Sequence, residues 1–513
     1  MSAEARSRDA AASHSRHHLR IALWIFLAFS TLYVGLARGH FISTDEVGVY
    51  QTTRSLWEDG NLHTGRVGSS SPGRGGLYYS PYGVGQSVAA LPLYGLGKWV
   101  GQLLETSGRA DWVRTLAGPS IGREPARWGG DIEMFFVSLF NVFVTALLLA
   151  LFFSFSVRLG ASLAGSLAAT ALLGLAAYVG PFSTNFFQHS SEALFVLWSF
   201  YFLVSDAQRP DWRSRAWAGV LLGLAVVFRP QSLIAAPTLG LYLLWSVWER
   251  RDGGGVAGFV RMCSQQLPAF MLPALAGVVT HLGANYVKFE ATVGIYGGSP
   301  FNSPFPTGLY GLLFSPGHSV FIYTPLLLLV PWTLVHFARR WRREAILILA
   351  LASSYLLLYS SYVYWHGLYY LGPRYLMPTV PFLLLPLAGW MDADRAKVWF
   401  TVAPLALVGL WVQFVHFAAN FWYVDLYEKY VTAWPPGTDF LFIPARSPIL
   451  AHSRATLAWD LRVDLWLVNV YRAFGTARTL EVALPLLGLL GFCLWRLRQN
   501  LRATVDSLPE RDT

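Results

Sequence analysis

Apolar stretches recur along the 513-residue chain, at lengths close to the ~20 residues that a helix needs to cross a bilayer. They are apolar on nearly every side, so helical periodicity does not refine their ends. The pattern predicts an all-α integral membrane protein with about 12 transmembrane helices. The predicted spans are 20–37, 132–157, 161–180, 187–205, 216–229, 231–248, 267–286, 319–338, 345–362, 375–391, 398–418 and 477–495.

Basic residues between the apolar stretches predict how the spans are oriented. One set of alternate loops is rich in arginine, and its members are Arg158, Arg209, Arg213, Arg215, Arg250, Arg251, Arg261, Arg339, Arg340, Arg342, Arg343, Arg395 and Lys397. The short loops on the other side contain only Arg229, Lys288 and Arg374. Because basic residues concentrate on the cytoplasmic side, the tails 1–19 and 496–513 are both predicted to be cytoplasmic.

Segment 81–104 tests this count, because it is apolar enough to resemble another span. If it crossed the membrane, every later loop would change sides and the arginine-rich loop at 339–343 would face outward. The segment also contains Pro92, Gly95, Gly97 and Lys98. We therefore predict an interfacial or re-entrant helix that lies on the outer face.

Two predicted outer loops are large, 38–130 and 419–476, and no internal repeat is visible. The chain contains no Walker A lysine motif, no H-E-x-x-H motif and no cysteine cluster, which argues against a nucleotide site and against a zinc site. The second large loop matches no pattern that we can assign.

Composition agrees with a membrane protein. Apolar residues make up 54% of the chain and charged residues 13%, against about a quarter charged in ordinary globular proteins. The 21 tryptophans suit aromatic belts at two membrane interfaces. This composition excludes a soluble enzyme, a disordered scaffold and a secreted disulfide domain. The net charge of +10 is spread over many loops, so it indicates topology and contact with membrane lipids rather than nucleic-acid binding.

The strongest chemical signal is the pair Asp45 and Glu46, which follows the first predicted span in a chain poor in charge. One interpretation is structural: Ser43 or Thr44 caps a helix over 45–58, and the helix dipole favours acids in the first turn. The other interpretation is a general base at the membrane surface, where an ionised carboxylate takes a proton from an incoming hydroxyl. The sequence leaves both open.

The motifs that follow this pair give the chain a family resemblance. They are Val49 to Leu62 with Ser55-Leu56 before Gly60, Tyr79 to Gln86, Phe228-Arg229-Pro230, Leu313-Phe314-Ser315-Pro316-Gly317 and Gly372-Pro373-Arg374-Tyr375-Leu376. In this order, residues 20–418 resemble the GT-C glycosyltransferase superfamily, in particular the bacterial relatives of the protein O-mannosyltransferases. The resemblance implies a GT-C-like catalytic region in which the first outer loop contains interfacial helices.

The resemblance also implies a mechanism. The donor is a sugar linked to a polyprenyl phosphate, and Asp45 matches the catalytic aspartate that deprotonates the acceptor hydroxyl during an inverting displacement. Glu46 points about 100° away on a helix, so it is expected to orient the acceptor or to hold a divalent ion. The acceptor is a glycan, a lipid or a protein, and the large outer loop 419–476 is expected to form the acceptor region. The choice among these acceptors and the need for a metal both stay open.

A leaving phosphate needs a cation, and arginine binds phosphate oxygens with a planar fork. Arg229 is our first candidate and Arg374 the second, while His366 and His189 are predicted donors to phosphate or sugar. The alternative for each is an interfacial role, with the arginines snorkelling at span ends.

Two alternatives to a glycosyltransferase are a secondary transporter and a protein that only binds lipid-linked glycans. A twelve-span secondary transporter would place charges near the midplane between repeated halves, whereas these spans are almost free of charge and show no halves. A protein that only binds lipid-linked glycans would not require Asp45. The Ala-, Leu-, Gly- and Arg-rich composition favours a bacterial inner membrane as the location.

Overall fold

The computed structural model describes residues 3–116, 131–251, 255–292, 301–367, 372–392, 395–418, 439–461 and 463–506. Within these residues the fold is almost entirely helical, as predicted. The helices of the first half are α1 Ala3–Leu36, α2 Thr44–Glu58, α3 Gly85–Ala89, α4 Leu91–Thr106, α5 Ala110–Leu116, α6 Ile132–Ser138, α7 Phe140–Arg158, α8 Leu163–Leu175, α9 His189–Gln208, α10 Trp212–Phe228 and α11 Ala235–Glu249.

The second half continues the helical pattern. Its helices are α12 Gly255–Phe289, α13 Phe305–Phe314, α14 Val320–Tyr323, α15 Val330–Ala338, α16 Arg342–Ser360, α17 Val380–Trp390, α18 Arg395–Ala418, α19 Pro448–Leu457 and α20 Trp466–Asp506. Short 3-10 turns join several of them. Two short strands, β1 Ser71–Pro72 and β2 Tyr78–Tyr79, form an antiparallel hairpin in which Ser71 pairs with Tyr79 and Pro72 with Tyr78.

Every predicted span contains a helix, which confirms an all-α membrane protein. Within the described ranges, six helical stretches are long and apolar enough to cross a bilayer by length and composition, namely His17–Leu36, Ile132–Arg158, Gly255–Phe289, Arg342–Ser360, Val398–Ala418 and Trp466–Thr504. The other predicted spans contain shorter or more polar helices. The count of twelve therefore stays a prediction.

The predicted boundaries differ from the structure at both ends of the chain. The predicted N-terminal tail is helical from Ala3, as part of α1. The last helix begins at Trp466, before the predicted span start at 477, and is interrupted at Gly475, which has a φ of 75°. Segment 81–104 forms α3 and α4, and its Trp99 and Leu103 side chains are 61% and 51% exposed; its placement at the membrane interface stays a prediction.

Helices α10 and α12 touch backbone to backbone through glycines. A Cβ on Gly219 would lie 2.1 Å from the carbonyl oxygen of Phe270, and a Cβ on Gly277 would lie 2.3 Å from the Cα of Gly223. Small residues permit such close approach between membrane helices. Residue numbers rise together along the contact, so the helices are parallel and their C-terminal ends, which lead to Arg229 and Lys288, lie on the same side.

A separate apolar cluster holds α2 in place beside the main helical core. It joins α2 to the segment before it, to the residue between α3 and α4, to α4 and α6, and to the segment before α9. Its members are Phe41, Val47, Val49, Tyr50, Ala90, Tyr94, Met134, Val137 and Phe186. The rings of Phe41 and Phe186 stack at 5.4 Å. This packing fixes the start of α2 against the start of α9, where the predicted site residues lie.

Candidate active site

Asp45 lies in the first turn of α2, and Ser43 caps this helix. The Ser43 hydroxyl accepts a hydrogen bond from the Asp45 backbone N–H at 3.1 Å, and Ser43 itself is extended with φ −134°. A short polar side chain at this position satisfies an otherwise unpaired N–H of the first turn. The predicted cap is confirmed, and it leaves the Asp45 carboxylate free for another role, with its side chain 22% exposed.

Glu46 points away from Asp45 and is 1% exposed. Its carboxylate accepts hydrogen bonds from the backbone N–H of Ile42 at 3.1 Å and of Phe186 at 2.6 Å. Burial raises the pKa of this carboxyl group, and the two amide donors work in the opposite direction. Both oxygens are thus committed to the protein, and Glu46 ties the segment before α9 to the start of α2.

The Gly372-Pro373 turn places Arg374 opposite Asp45. Gly372 has a φ of 72°, and a Cβ there would lie 2.9 Å from the Tyr323 ring, so a side chain would be both strained and crowded. Arg374 then begins a 3-10 helix, Arg374–Thr379. Gly367 clears the way for the arginine side chain, since a Cβ on Gly367 would lie 3.0 Å from the Cγ of Arg374.

In the described part of the chain, Arg374 is the cation that pairs with the Asp45 carboxylate. Its Nη2 lies 3.8 Å from Asp45 Oδ2, and the Arg374 side chain is 8% exposed. The same Nη2 donates to the Tyr375 hydroxyl at 3.1 Å, and the guanidinium lies 4.8 Å from the centre of the Phe187 ring. Its Nε is buried and has no hydrogen-bond partner. The Arg374 guanidinium therefore uses only part of its hydrogen-bonding capacity within the protein.

His189 is the first residue of α9 and, like this arginine, lies beside the Tyr375 ring. The side chain is 5% exposed, and neither ring nitrogen has a hydrogen-bond partner. Its ring packs 5.9 Å from Phe187 and 5.8 Å from Tyr375, and it interacts electrostatically with Arg229 and Arg374. A buried imidazole without partners is costly, which points to a ligand.

Two further buried histidines, His366 and His318, lie close enough to Arg374 to interact with its charge. Burial, followed by the charge of Arg374, lowers the pKa of His366 to about 4. Burial, followed by the charges of His366 and Arg374, lowers the pKa of His318 to about 3. Both imidazoles are therefore neutral near pH 7 and act as hydrogen-bonding groups rather than as cations.

Arg229, the first predicted phosphate ligand, is committed to another partner. Arg229 is the residue between α10 and Pro230, and its backbone is extended, which is the conformation preferred before a proline. Its Nη1 donates to Glu192 Oε2 at 2.8 Å, and its Nη2 donates to the Tyr359 hydroxyl at 3.1 Å. Tyr355 donates to the other Glu192 oxygen at 2.7 Å. This buried network joins α9, α10 and α16, and the Arg229 guanidinium lies 5.5 Å from the centre of the Tyr375 ring.

The structure also shows polar residues that the sequence analysis did not single out. Lys288 is 1% exposed, and its Nζ donates to the carbonyl oxygens of Ser80 at 3.0 Å and of Tyr82 at 2.9 Å. Glu192 could have been found from the sequence, because it lies within the predicted span 187–205 and a carboxylate inside a membrane span needs a partner. Lys288 was visible as one of three basic residues on the arginine-poor side.

The arrangement thus separates the predicted site residues into two groups. Asp45, Arg374, His189 and His366 lie around one buried polar region, whereas Glu46 and Arg229 are engaged in holding helices together. Across the described ranges, no group of three or more His, Cys, Asp and Glu side chains is placed to hold a metal ion. The residues that are brought together can bind an anion, donate hydrogen bonds and take up a proton.

Comparison with known proteins adds a family match. Residues 130–253 match the family of dolichyl-phosphate-mannose-protein mannosyltransferases. This region runs through α6 to α11 and includes His189, Glu192 and Arg229. A comparison with curated protein sequences finds no match.

Among solved structures, the chain is similar to a crystal structure of ArnT from Cupriavidus metallidurans bound to undecaprenyl phosphate, with 16% sequence identity and a TM-score of 0.48. The similarity covers 94% of this chain and 77% of that chain. The family match argues against the secondary transporter that the span count left open. Over residues 130–253 it agrees with the resemblance found in the sequence, and it supports a membrane glycosyltransferase.

Proposed function

We propose that this chain moves a sugar from a polyprenyl phosphate to an acceptor hydroxyl, with inversion, on the outer face of a bacterial inner membrane. The matched family is named for dolichyl phosphate mannose, a sugar on a polyprenyl phosphate. One observation carries the proposal for the site. The Asp45 carboxylate lies 3.8 Å from the buried guanidinium of Arg374, so a base and a phosphate ligand adjoin.

The two side chains divide the reaction according to their exposure. Asp45 is the more accessible of the pair, at 22% against 8% for Arg374, so an acceptor can approach the carboxylate. The guanidinium offers its unpartnered Nε to a phosphate oxygen, and a charge-assisted hydrogen bond of this kind is stronger than a neutral one. His189 and His366 then donate to phosphate or sugar oxygens as neutral imidazoles.

The chemical step is a single displacement. The acceptor oxygen attacks the anomeric carbon while its proton passes to the Asp45 carboxylate. The bond between the anomeric carbon and the phosphate oxygen breaks, and polyprenyl phosphate leaves with both bonding electrons. Arg374 stabilises the charge that develops on the leaving oxygen. Because one bond forms as the other breaks on the opposite face, the configuration inverts.

Arg374 also links donor binding to the activity of the base. Without donor, the guanidinium faces the carboxylate at a distance too long for a direct hydrogen bond. A bound phosphate draws the guanidinium toward itself, which leaves the carboxylate free to accept the acceptor's proton. The order of binding that this favours is donor first and acceptor second.

The test replaces Asp45 by asparagine, which keeps the shape and removes the base. Purified protein is given a panel of labelled polyprenyl-phosphate sugars, with bacterial inner-membrane vesicles as the acceptor source. We expect Asp45→Asn to lower the transfer rate at saturating donor by about 10²- to 10⁴-fold while donor affinity changes little. Full activity of Asp45→Asn would contradict the mechanism.

Glu46→Gln is the matched control, because it changes the neighbouring acid in the same conservative way. The new amide group would meet a backbone N–H where the carboxylate now accepts, which leaves a buried donor unpaired at a cost of about 1–3 kcal/mol. We expect a lower melting temperature with donor affinity and transfer per folded molecule largely kept. A selective loss of acceptor affinity would instead support the acceptor-orienting role expected from the sequence.

A further inference from the structure

A buried ion pair lies a few residues before the proposed base. His40 Nε2 lies 2.8 Å from Asp464 Oδ1, and the two side chains are 11% and 5% exposed. The other ring nitrogen, Nδ1, lies 3.1 Å from the Phe41 carbonyl oxygen. Both nitrogens therefore face oxygen acceptors, and only the protonated imidazolium can donate to both at once.

The segment that contains Asp464 is attached to the same turn by its backbone and by Trp466. The Trp466 N–H donates to the Ala37 carbonyl oxygen at 3.0 Å, and its indole N–H donates to the Val34 carbonyl oxygen at 2.6 Å. Gly39 has a φ of 80°, and a Cβ there would lie 2.7 Å from Phe135 and 3.1 Å from Trp466. The start of α20 thus covers the turn that leads from α1 to the base.

Other charged groups face this pair from each neighbouring element. Arg38, on the same turn, acts on both His40 and Asp464, and Arg472 of α20 acts on Asp464. His416 of α18 lies 3.4 Å from Arg38 Nη2, and His452 of α19 also interacts with Arg38. Asp464 is the carboxylate that touches His40 in the described residues.

These neighbours set the direction in which each group titrates. Burial alone would lower the pKa of His40, but the charge and hydrogen bond of Asp464 outweigh it and raise the pKa. Burial would raise the pKa of Asp464, but the imidazolium outweighs it and lowers the pKa. The contact with Asp464 therefore favours the protonated imidazole, and the ion pair is lost as the pH rises through the pKa of His40.

We propose that His40 and Asp464 are positioning residues that hold Asp45 in its reactive place only while His40 is protonated. This inference rests on the proposed role of Asp45 as the base. The link is short: His40 continues into Phe41, whose ring stacks on Phe186, and into Ile42, whose N–H donates to Glu46. Ser43 and Asp45 follow directly. When the imidazole loses its proton, one of its two contacts is lost and the turn is released.

The experiment measures the transfer rate at saturating donor between pH 6 and pH 10 for the wild type, Asp464→Asn and His40→Gln. We expect the wild-type rate to fall about tenfold or more on the alkaline side, since small displacements of a reacting group are costly. Asp464→Asn should move this fall about one to three pH units lower, because the opposite charge beside His40 is gone. His40→Gln should be slow at every pH and show no such fall.

Glu481→Gln is the matched control on α20, because it breaks the exposed pair between Arg478 and Glu481. Its pH profile should match the wild type. If Asp464→Asn does not fold, Asp464→Glu keeps the carboxylate and should retain the wild-type position of the fall at a reduced rate. Melting temperatures are measured beside each profile, because a purely structural pair would change stability without moving the profile.

Three results would overturn the positioning role: a flat wild-type profile, an unchanged profile in Asp464→Asn, or a fall that persists in His40→Gln. Failure of the proposed function looks different, since Asp45→Asn would then be active whatever the pH profiles show. If Asp45→Asn is inactive but the pH profiles of the His40 and Asp464 variants match the wild type, Asp45 remains the proposed base. Only the positioning role of His40 and Asp464 is then rejected.

Discussion

Two buried arginines lie beside the same tyrosine ring, and they differ in how their charge is compensated. Arg229 lies 5.5 Å and Arg374 lies 5.1 Å from the centre of the Tyr375 ring. Arg229 forms a 2.8 Å ion pair with a carboxylate that is 0% exposed. Arg374 has its carboxylate at 3.8 Å and a buried Nε without a partner.

The difference is the basis for proposing Arg374, rather than Arg229, as the phosphate ligand. A buried charge needs a partner, and a fully engaged ion pair has little to offer a substrate without being broken. A buried guanidinium that is only partly engaged can accept a phosphate without that loss. Burial and position at a span end are alike in the two residues, so the hydrogen-bond partners are the feature that distinguishes them.

The largest effect should come from breaking the Arg229–Glu192 pair. Arg229→Ala leaves the Glu192 carboxylate buried without its cation, which we expect to destabilise the protein by about 3–5 kcal/mol. The double variant Arg229→Met, Glu192→Leu should recover most of this loss, because no unpaired charge remains. Melting temperatures of the three proteins in detergent test it. A stable Arg229→Ala protein that has lost donor affinity would make Arg229 the phosphate ligand instead.

Arg374 should show the opposite pattern, with a smaller change in stability and a larger one in binding. Arg374→Ala removes a charge-assisted bond to phosphate, worth about 1.5–3 kcal/mol, so donor affinity should fall about ten- to a hundredfold. Arg374→Lys should retain part of the affinity because it keeps the charge but not the fork. Titration with a polyprenyl phosphate measures both. Unchanged affinity in Arg374→Ala would remove the contrast between the two arginines.

The smallest effect should come from His366. Its pKa of about 4 means that it gains a proton only well below neutral pH, so it contributes one neutral hydrogen bond. His366→Gln should lower donor affinity by about tenfold or less, and by the same factor at pH 6 and at pH 8. A clearly larger loss at pH 6 would mean that His366 is charged when donor is bound.

Local parts of this site could be predicted from the sequence. The cap at Ser43, the helix that begins at Thr44 and the Gly372-Pro373 turn depend on residues adjacent in the chain. The apolar stretches likewise predicted every long helix, although not where each one ends. Arg374 and the two histidines were named as candidates because the resemblance implies a leaving phosphate, which needs a cation and hydrogen-bond donors.

Pairings across the fold could not be predicted. Arg229 and Glu192 are 37 residues apart, and His40 and Asp464 are 424 apart, so no local pattern relates either pair. Only the fold shows that Arg229 lies 2.8 Å from a buried carboxylate oxygen whereas Arg374 lies 3.8 Å from one, so the order of the two candidates could not be tested on the sequence alone. The commitment of Glu46 to two backbone N–H groups similarly depends on how the segment before α9 packs against α2.

The attachment of Trp466 to the end of α1 has a consequence for how the protein is made. The two residues joined by the indole hydrogen bond, Val34 and Trp466, are 432 positions apart, so α1 is synthesised long before the residue that covers its end. The turn that leads to the acid pair is thus covered only after Trp466 has been synthesised. A chain arrested before α20 would contain every residue of the candidate active site, yet lack the segment that closes over its entrance turn.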